Sequence, residues 1–264
     1  MSKLSYQNFK NHIITRLTQV WLLSNKLKVL LNENKYEKKN ELNELLEEDL
    51  LQEPDLMNIA SEEGILTNLE YEDLQKNNPK RAKRIEEQIN LKMHKVFLES
   101  DISLLENSYP DIVWSSLSIM TMSVFEVNIK LICRYINIFL GMEFDINEMN
   151  GRSIVERGKN FIQKIENIDY QFSTSQNWQK IRGHQTVRNL IIHNGSFIDS
   201  SSYSRKVISF MKNSDTSLSV NENRLVIGKN YVNEVGRDTQ DWLQELFSAL
   251  ESSYPEIETF ETEV

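Results

Sequence analysis

The chain has 264 residues, a formal net charge of -9 and only eight Gly and four Pro, a balance that excludes a turn-rich sheet protein and a broadly basic polyanion binder. It is long enough to bury one large core or two modest ones. Its one cysteine, Cys133, lies in an apolar stretch, which excludes a disulfide framework or a thiolate metal site made by this chain alone and reads as a buried thiol.

The N-terminus, MSKLSYQNFKNHIITRL, has polar residues at every second or third position and no continuous apolar run of the export type, so a cytoplasmic location is expected. From Tyr6 to Leu31, Phe9, Ile13, Leu17, Val20, Trp21 and Leu27 recur at helical spacing, as in an amphipathic helix against a core. A second, acid-rich helix is expected over Asn32 to Glu53, with Leu42, Leu45, Leu46, Leu50 and Leu51 on one side and Pro54 at its end. It reads as a solvated amphipathic helix, or as an arm that binds a partner. The pattern weakens from Asp55 to Asn78 and resumes over Lys80 to Glu99 through Ile85, Ile89, Met93 and Phe97.

Asn107, Ser108, Tyr109 and Pro110 form an expected break, with Pro in the first turn of the next helix. This sets the expected organisation: a helical accessory region over 1–108, a helical domain over 109–252 and an acidic tail over 253–264. The segment Asp111 to Leu140 is apolar on most faces, but Glu126, Asn128, Lys130 and Arg134 interrupt it, so it reads as a buried core helix and not as a membrane span. Ser123, Glu126, Lys130 and Arg134 line up on one stripe facing water or a site.

A helix is then expected from about Asn150 through Ile154, Val155, Phe161, Ile162 and Ile165, carrying Arg152 and Arg157. Another follows Ser173–Ser175, where Ser173 and Gln176 have capping-box spacing. Trp178, Ile181, Leu190, Ile191 and Ile192 anchor it, and Asn194 and Gly195 stop it as a left-handed cap would. Ser217–Val220 and Arg224–Ile227 flank Asn221-Glu222-Asn223 as a small hairpin. Trp242, Leu243, Leu246, Phe247 and Leu250 make a last amphipathic helix, and the acidic segment from Glu251 to Val264 has too little apolar content to order itself.

Chemistry concentrates in RNLIIHNG, residues 188–195. Asn189 and His193 are four apart and share a helical face, whereas Arg188 lies about 140° from His193 around the axis, within reach of a long side chain. The partial negative charge at a helix C-terminus suits His193 to proton transfer. RNA carries its own nucleophile, the 2′-hydroxyl, so its cleavage needs an acid or base, a cation for the crowded phosphate, and positioning. Ordinary capping of a helix end by Arg and His is the structural alternative.

The segment resembles the HEPN superfamily, helical-bundle proteins of prokaryotic toxin, phage-defence and RNA-processing systems and of some eukaryotic ribonucleases. Arg188, Asn189 and His193 match that family's Arg–polar–spacer–His motif position by position. Asn194 and Gly195, the upstream apolar helix with Glu126, and the approach NWQKIRGHQTVRN extend the likeness over roughly residues 110–252. The resemblance implies a HEPN-like antiparallel helical bundle, which joins the helical N-terminal extension and the small β-hairpin near the C-terminus read from the residues above in a mostly α fold; the N-terminal half adds no match of its own. It further implies a metal-independent endoribonuclease that leaves a cyclic phosphate, needs no cofactor and joins two copies of the motif across a homodimer. A toxin or antiphage role, with an antitoxin or defence-system partner, goes with that reading. Gly195 departs from members that carry Tyr two residues after the His and pair with nucleotidyltransferase-type antitoxins.

In this reading Arg188, Asn189 and His193 are catalytic, Glu126 and Asn194 support them, and Arg152, Arg157, Lys180, Arg182 and His184 contact RNA. Glu126 either orients Arg188 across the bundle or pairs with Lys130 on its own helix. His184 is expected to line a groove or the surface. Asn128 to Asn194 holds nine Lys or Arg and six Asp or Glu, a local +3 that leaves -12 for the rest of the chain and favours a local RNA track. The alternative is a noncatalytic helical adaptor or antitoxin-like partner that keeps the motif as a binding surface; a zinc hydrolase lacks paired ligands at helical spacing.

Overall fold

The computed structural model describes residues 3–47, 75–142, 144–165, 168, 170–172 and 174–263. The chain forms two compact units, one of residues 1–28 with 111–264 and one of residues 29–110. The protein is mostly α, with a small hairpin near the C-terminus.

In the larger unit, helix α1 (Tyr6–Glu47) contributes its first turns and α3 (Tyr109–Leu140) the central element. These are followed by α4 (Ile154–Lys164), α5 (Gln176–Asn194), α6 (Ser202–Asn213) and α7 (Lys229–Ser253). Strands β2 (Ser219–Asn221) and β3 (Arg224–Val226) form the hairpin. Its turn is the two-residue Glu222-Asn223 with φ 47° and 60°, one residue shorter than expected, because two left-handed residues match the twist of the flanking strands.

Residues 1–28 correct the expected boundaries: they belong with the C-terminal domain, not with an accessory region. Tyr6, Phe9, Ile13, Leu17 and Val20 are buried, and the buried Asn128 donates through Nδ2 to the Ile13 carbonyl at 3.0 Å. Trp21, expected on that face, is instead 48% exposed. The acidic tail is also ordered. Strand β4 (Glu261–Glu263) pairs antiparallel with β1 (Lys3–Ser5), and Ile257 in the 3-10 turn Pro255–Thr259 is fully buried. A partner strand and one apolar anchor supply what the local composition lacked.

The smaller unit contains the later part of α1 and helix α2 (Pro79–Ser103), capped by the Asn78 side chain on the Arg81 amide. The two helices expected over 6–31 and 32–53 are thus one as far as Glu47; Pro54, Leu50 and Leu51 lie outside the described residues. Ala82, Ile85, Leu98 and Ile102 are buried, whereas Ile89, Met93 and Phe97 are exposed against expectation. Surface pairs join Lys39 and Lys35 to Glu106, and Glu41 to His94. The expected break at 107–110 is a π-helical turn, Leu104–Ser108, leading into α3. One 18-residue window in Pro79–Leu140 reaches a mean hydropathy of 1.4, apolar enough by composition to cross a membrane. Within α3 a dozen side chains, Trp114 to Ile136, are buried in the protein, Cys133 among them, and burial pushes the Cys133 thiol well above its ordinary range.

An aromatic core holds α5 against α7. Trp242 lies 5.6 Å from Trp178, 5.3 Å from Phe125 and 6.4 Å from Phe172 between ring centroids. Polar contacts extend this seam at heptad spacing on α7. Glu245 accepts from Ser175 Oγ at 3.0 Å and Asn177 Nδ2 at 2.6 Å, Asp238 takes Lys180 and His184, and Tyr231 meets His184. Residues 231, 238 and 245 recur every second turn, so one face of α7 fixes α5 from its N-terminus to its middle.

Candidate active site

Helix α5 starts where Ser175 Oγ accepts from the Trp178 amide at 3.0 Å, so the N-cap is Ser175. The expected capping residue, Ser173, lies outside the described residues. The helix ends as its sequence requires: Gly195 sits in the left-handed region, φ 57°, with its N–H on the Ile191 carbonyl, a conformation that favours glycine. Asn194 is occupied by this stop. Its Nδ2 donates to Asp199 Oδ2 at 3.2 Å and Ser201 Oγ at 3.4 Å, which ties the helix end to the loop before α6, outside the cleft lining.

One cleft of about 1050 Å³ runs along α5. Arg182, Arg188, Asn189 and His193 enter it from α5, Arg152, Ser153 and Arg157 from the start of α4, Glu126 from α3, and Tyr203 and Lys206 from α6. Five guanidinium or ammonium groups meet two carboxylates, Glu126 and Glu156, in a chain whose overall charge is negative. Local positive potential of this kind attracts phosphate.

The start of α4 is fixed by Ser153, whose Oγ accepts from the Glu156 amide at 3.2 Å, while Glu156 Oε2 accepts from the Arg152 amide at 2.8 Å. The helix therefore begins at Ile154, four residues later than expected. Arg157 is braced by its Nε donating to the Gly151 carbonyl at 3.1 Å. Gly158 lets α4 lie close on α3, since a Cβ there would meet Ile129 Cγ2 at 2.2 Å.

Arg188 donates from Nη1 to Asn189 Oδ1 at 3.1 Å. Its Nε–H is buried without an acceptor among the described residues, a donor whose desolvation favours a ligand oxygen. His193 is exposed and stacks against Tyr203 with centroids 5.8 Å apart and planes at 26°. Glu126 shares the cleft with Arg188, yet neither of its two expected ion pairs, to Arg188 or Lys130, forms within 4.0 Å among the described residues.

Two residues expected to contact RNA, His184 and Lys180, stand outside the cleft lining. His184 is 2% exposed, with Nε2 2.9 Å from Asp238 Oδ2 and Nδ1 2.9 Å from the Tyr231 hydroxyl. A carboxylate only accepts, so Nε2–H donates to Asp238 and, in the neutral ring, Nδ1 accepts from Tyr231. Lys180 pairs with Asp238 Oδ1 at 3.1 Å and lies outside the cleft lining. Burial works against the Asp238 charge, but His184 and then Lys180 hold its carboxyl below the usual range. Burial pushes the Tyr231 hydroxyl well up.

The cleft residues on α6, Tyr203 and Lys206 foremost, escaped sequence reading. The available signal was Ser201 before an amphipathic stretch: its Oγ accepts from the Ser204 amide at 3.2 Å, and Val207 is buried. Among the described residues no three His, Cys, Asp or Glu side chains gather as a metal site would require. No family model, curated protein or solved structure matches this chain.

Proposed function

We propose that this protein is a HEPN-type endoribonuclease that cleaves RNA by attack of the 2′-hydroxyl on the adjacent phosphorus. The observation that carries the reading is that Arg188, Asn189 and His193 open on one cleft with Arg152, Arg157, Arg182 and Lys206. In the reaction the 2′-oxygen bonds to phosphorus and the bond from phosphorus to the 5′-oxygen breaks. The products are a 2′,3′-cyclic phosphate and a 5′-hydroxyl.

His193 moves a proton at one of these two oxygens, and the His193 of a second copy serves the other in a homodimer. Arg188 donates to the phosphate as charge gathers on its oxygens, and Asn189, hydrogen-bonded to Arg188, keeps the guanidinium facing the cleft. A toxin or antiphage effector in the cytoplasm, held silent by a partner, is the setting that suits this chemistry.

The purified full-length chain is expected to cut single-stranded RNA in EDTA and to leave cyclic-phosphate ends. His193→Ala or Arg188→Ala should abolish cutting with helicity retained, and neither should be toxic on expression. Cutting that requires added metal, or that survives both substitutions, overturns the proposal. A noncatalytic adaptor would be tolerated equally in all three forms.

A further inference from the structure

Helix α6 offers the cleft a regular face. Ser202, Tyr203, Lys206, Ser209, Phe210 and Asn213 all line it, at spacings that fall on one side of a helix. The pairing of α6 with α5 is antiparallel: Tyr203 lies against His193 at the C-terminal end of α5, and Phe210 lies 5.4 Å from His184 further back. Gly183 sets the closeness of the two helices, because a Cβ there would meet the Phe210 ring at 2.2 Å.

The lining on α5 extends from His193 back to Gln179, fifteen residues whose ends are about 21 Å apart at a helical rise of 1.5 Å per residue. The cleft volume, about 1050 Å³, lies at the upper end of the range for single small-molecule pockets, about 1,000 Å³. Arg182 on α5 and Lys206 on α6 both line this cleft, and neither side chain has a hydrogen bond or ion pair among the described residues. Tyr203, 36% exposed, supplies an aromatic ring beside His193. Free cations along a groove with an aromatic at one end are the elements of single-strand recognition, in which phosphates meet charge and unstacked bases meet rings.

We infer that the α6 face and Arg182 form a track for single-stranded RNA leading away from His193, with Lys206 and Arg182 on its phosphates. The inference rests on the proposed function for the identity of the polymer. It assigns Lys206, Ser209 and Asn213 to substrate binding and gives the cleft an oligonucleotide, not a mononucleotide, as its ligand.

Fluorescence anisotropy in EDTA tests it, with full-length His193→Ala protein and a labelled 12-nucleotide single-stranded RNA. Adding Lys206→Ala or Arg182→Ala should weaken binding about tenfold and lower the slope of log affinity against log salt by about 0.7 each. The same RNA as a duplex, or a dinucleotide, should bind far more weakly. Unchanged affinity and slope in both variants, or equal binding of the duplex, overturns the track. If unsubstituted protein cuts RNA while these variants bind normally, the track fails and the nuclease reading stands. If the protein binds as expected but never cuts, the nuclease reading fails and the track stands.

Discussion

On α5, His184 commits both ring nitrogens to the interior, on Tyr231 and Asp238, whereas His193, nine residues later, is exposed in the cleft and touched by the face of Tyr203. The same helix therefore carries one imidazole tied into the interior and another exposed on the cleft. Lys180 and Arg182 repeat the contrast two residues apart: the lysine pairs with Asp238, and the arginine opens on the cleft. Residue type and chain proximity do not separate the two roles. The face of the helix does, because α7 covers one side and leaves the other to α4 and α6.

The largest expected effect lies on the open side. His193→Ala should lower cleavage by at least about 10²-fold, the ordinary size of a lost acid–base group, with stability in urea changed by less than about 0.5 kcal/mol. His184→Ala should do the reverse, costing about 3 kcal/mol in urea denaturation because Asp238 is left buried without its main partner. Equal loss of stability in both variants would dissolve the distinction between the two histidines.

Titration sharpens it further. The Asp238 carboxyl is held below its ordinary value, so its contribution is present above the unfolded carboxyl value of about 3.9 and disappears as pH falls through the folded one. The stability gap between the unsubstituted protein and Asp238→Asn should therefore be widest near neutrality and close on acidification. A gap that stays constant between about pH 5 and pH 2 would show that charge on Asp238 contributes nothing.

Gly183→Ala probes the junction of the two faces. The new methyl meets the Phe210 ring and should cost about 1–3 kcal/mol by overpacking. It should also weaken RNA binding through displacement of α6. The smallest effect is expected far from both faces: Asn223→Ala in the hairpin turn, φ 60°, should cost about 1 kcal/mol, since alanine adopts the left-handed region less readily than asparagine. A thermal melt reads it, with RNA affinity unchanged.

Several elements were legible because their cause is local. The end of α5 follows from Gly195, the hairpin from turn residues between two short β-prone runs, and the core face of α7 from Trp242, Leu243, Leu246, Phe247 and Leu250, all buried. Within the cleft, Arg152, Arg157, Arg182, Arg188, Asn189, His193 and Glu126 were all named from sequence. Three other candidates stand elsewhere for reasons no local pattern carries. His184 and Lys180 are claimed by an aspartate more than fifty residues away, and Asn194 by the loop it helps to close.

The sequence by itself determined that the protein is helical and where its motif helix stops, since propensity, capping and periodicity act within a few residues of chain. Tertiary structure alone decided which side of α5 faces solvent, that residues 1–28 pack with the C-terminal domain, that the acidic tail is ordered as a strand on β1, and that α6 walls the cleft. Those outcomes depend on contacts between segments far apart in the chain, where burial against a particular neighbour outweighs any preference of the segment itself.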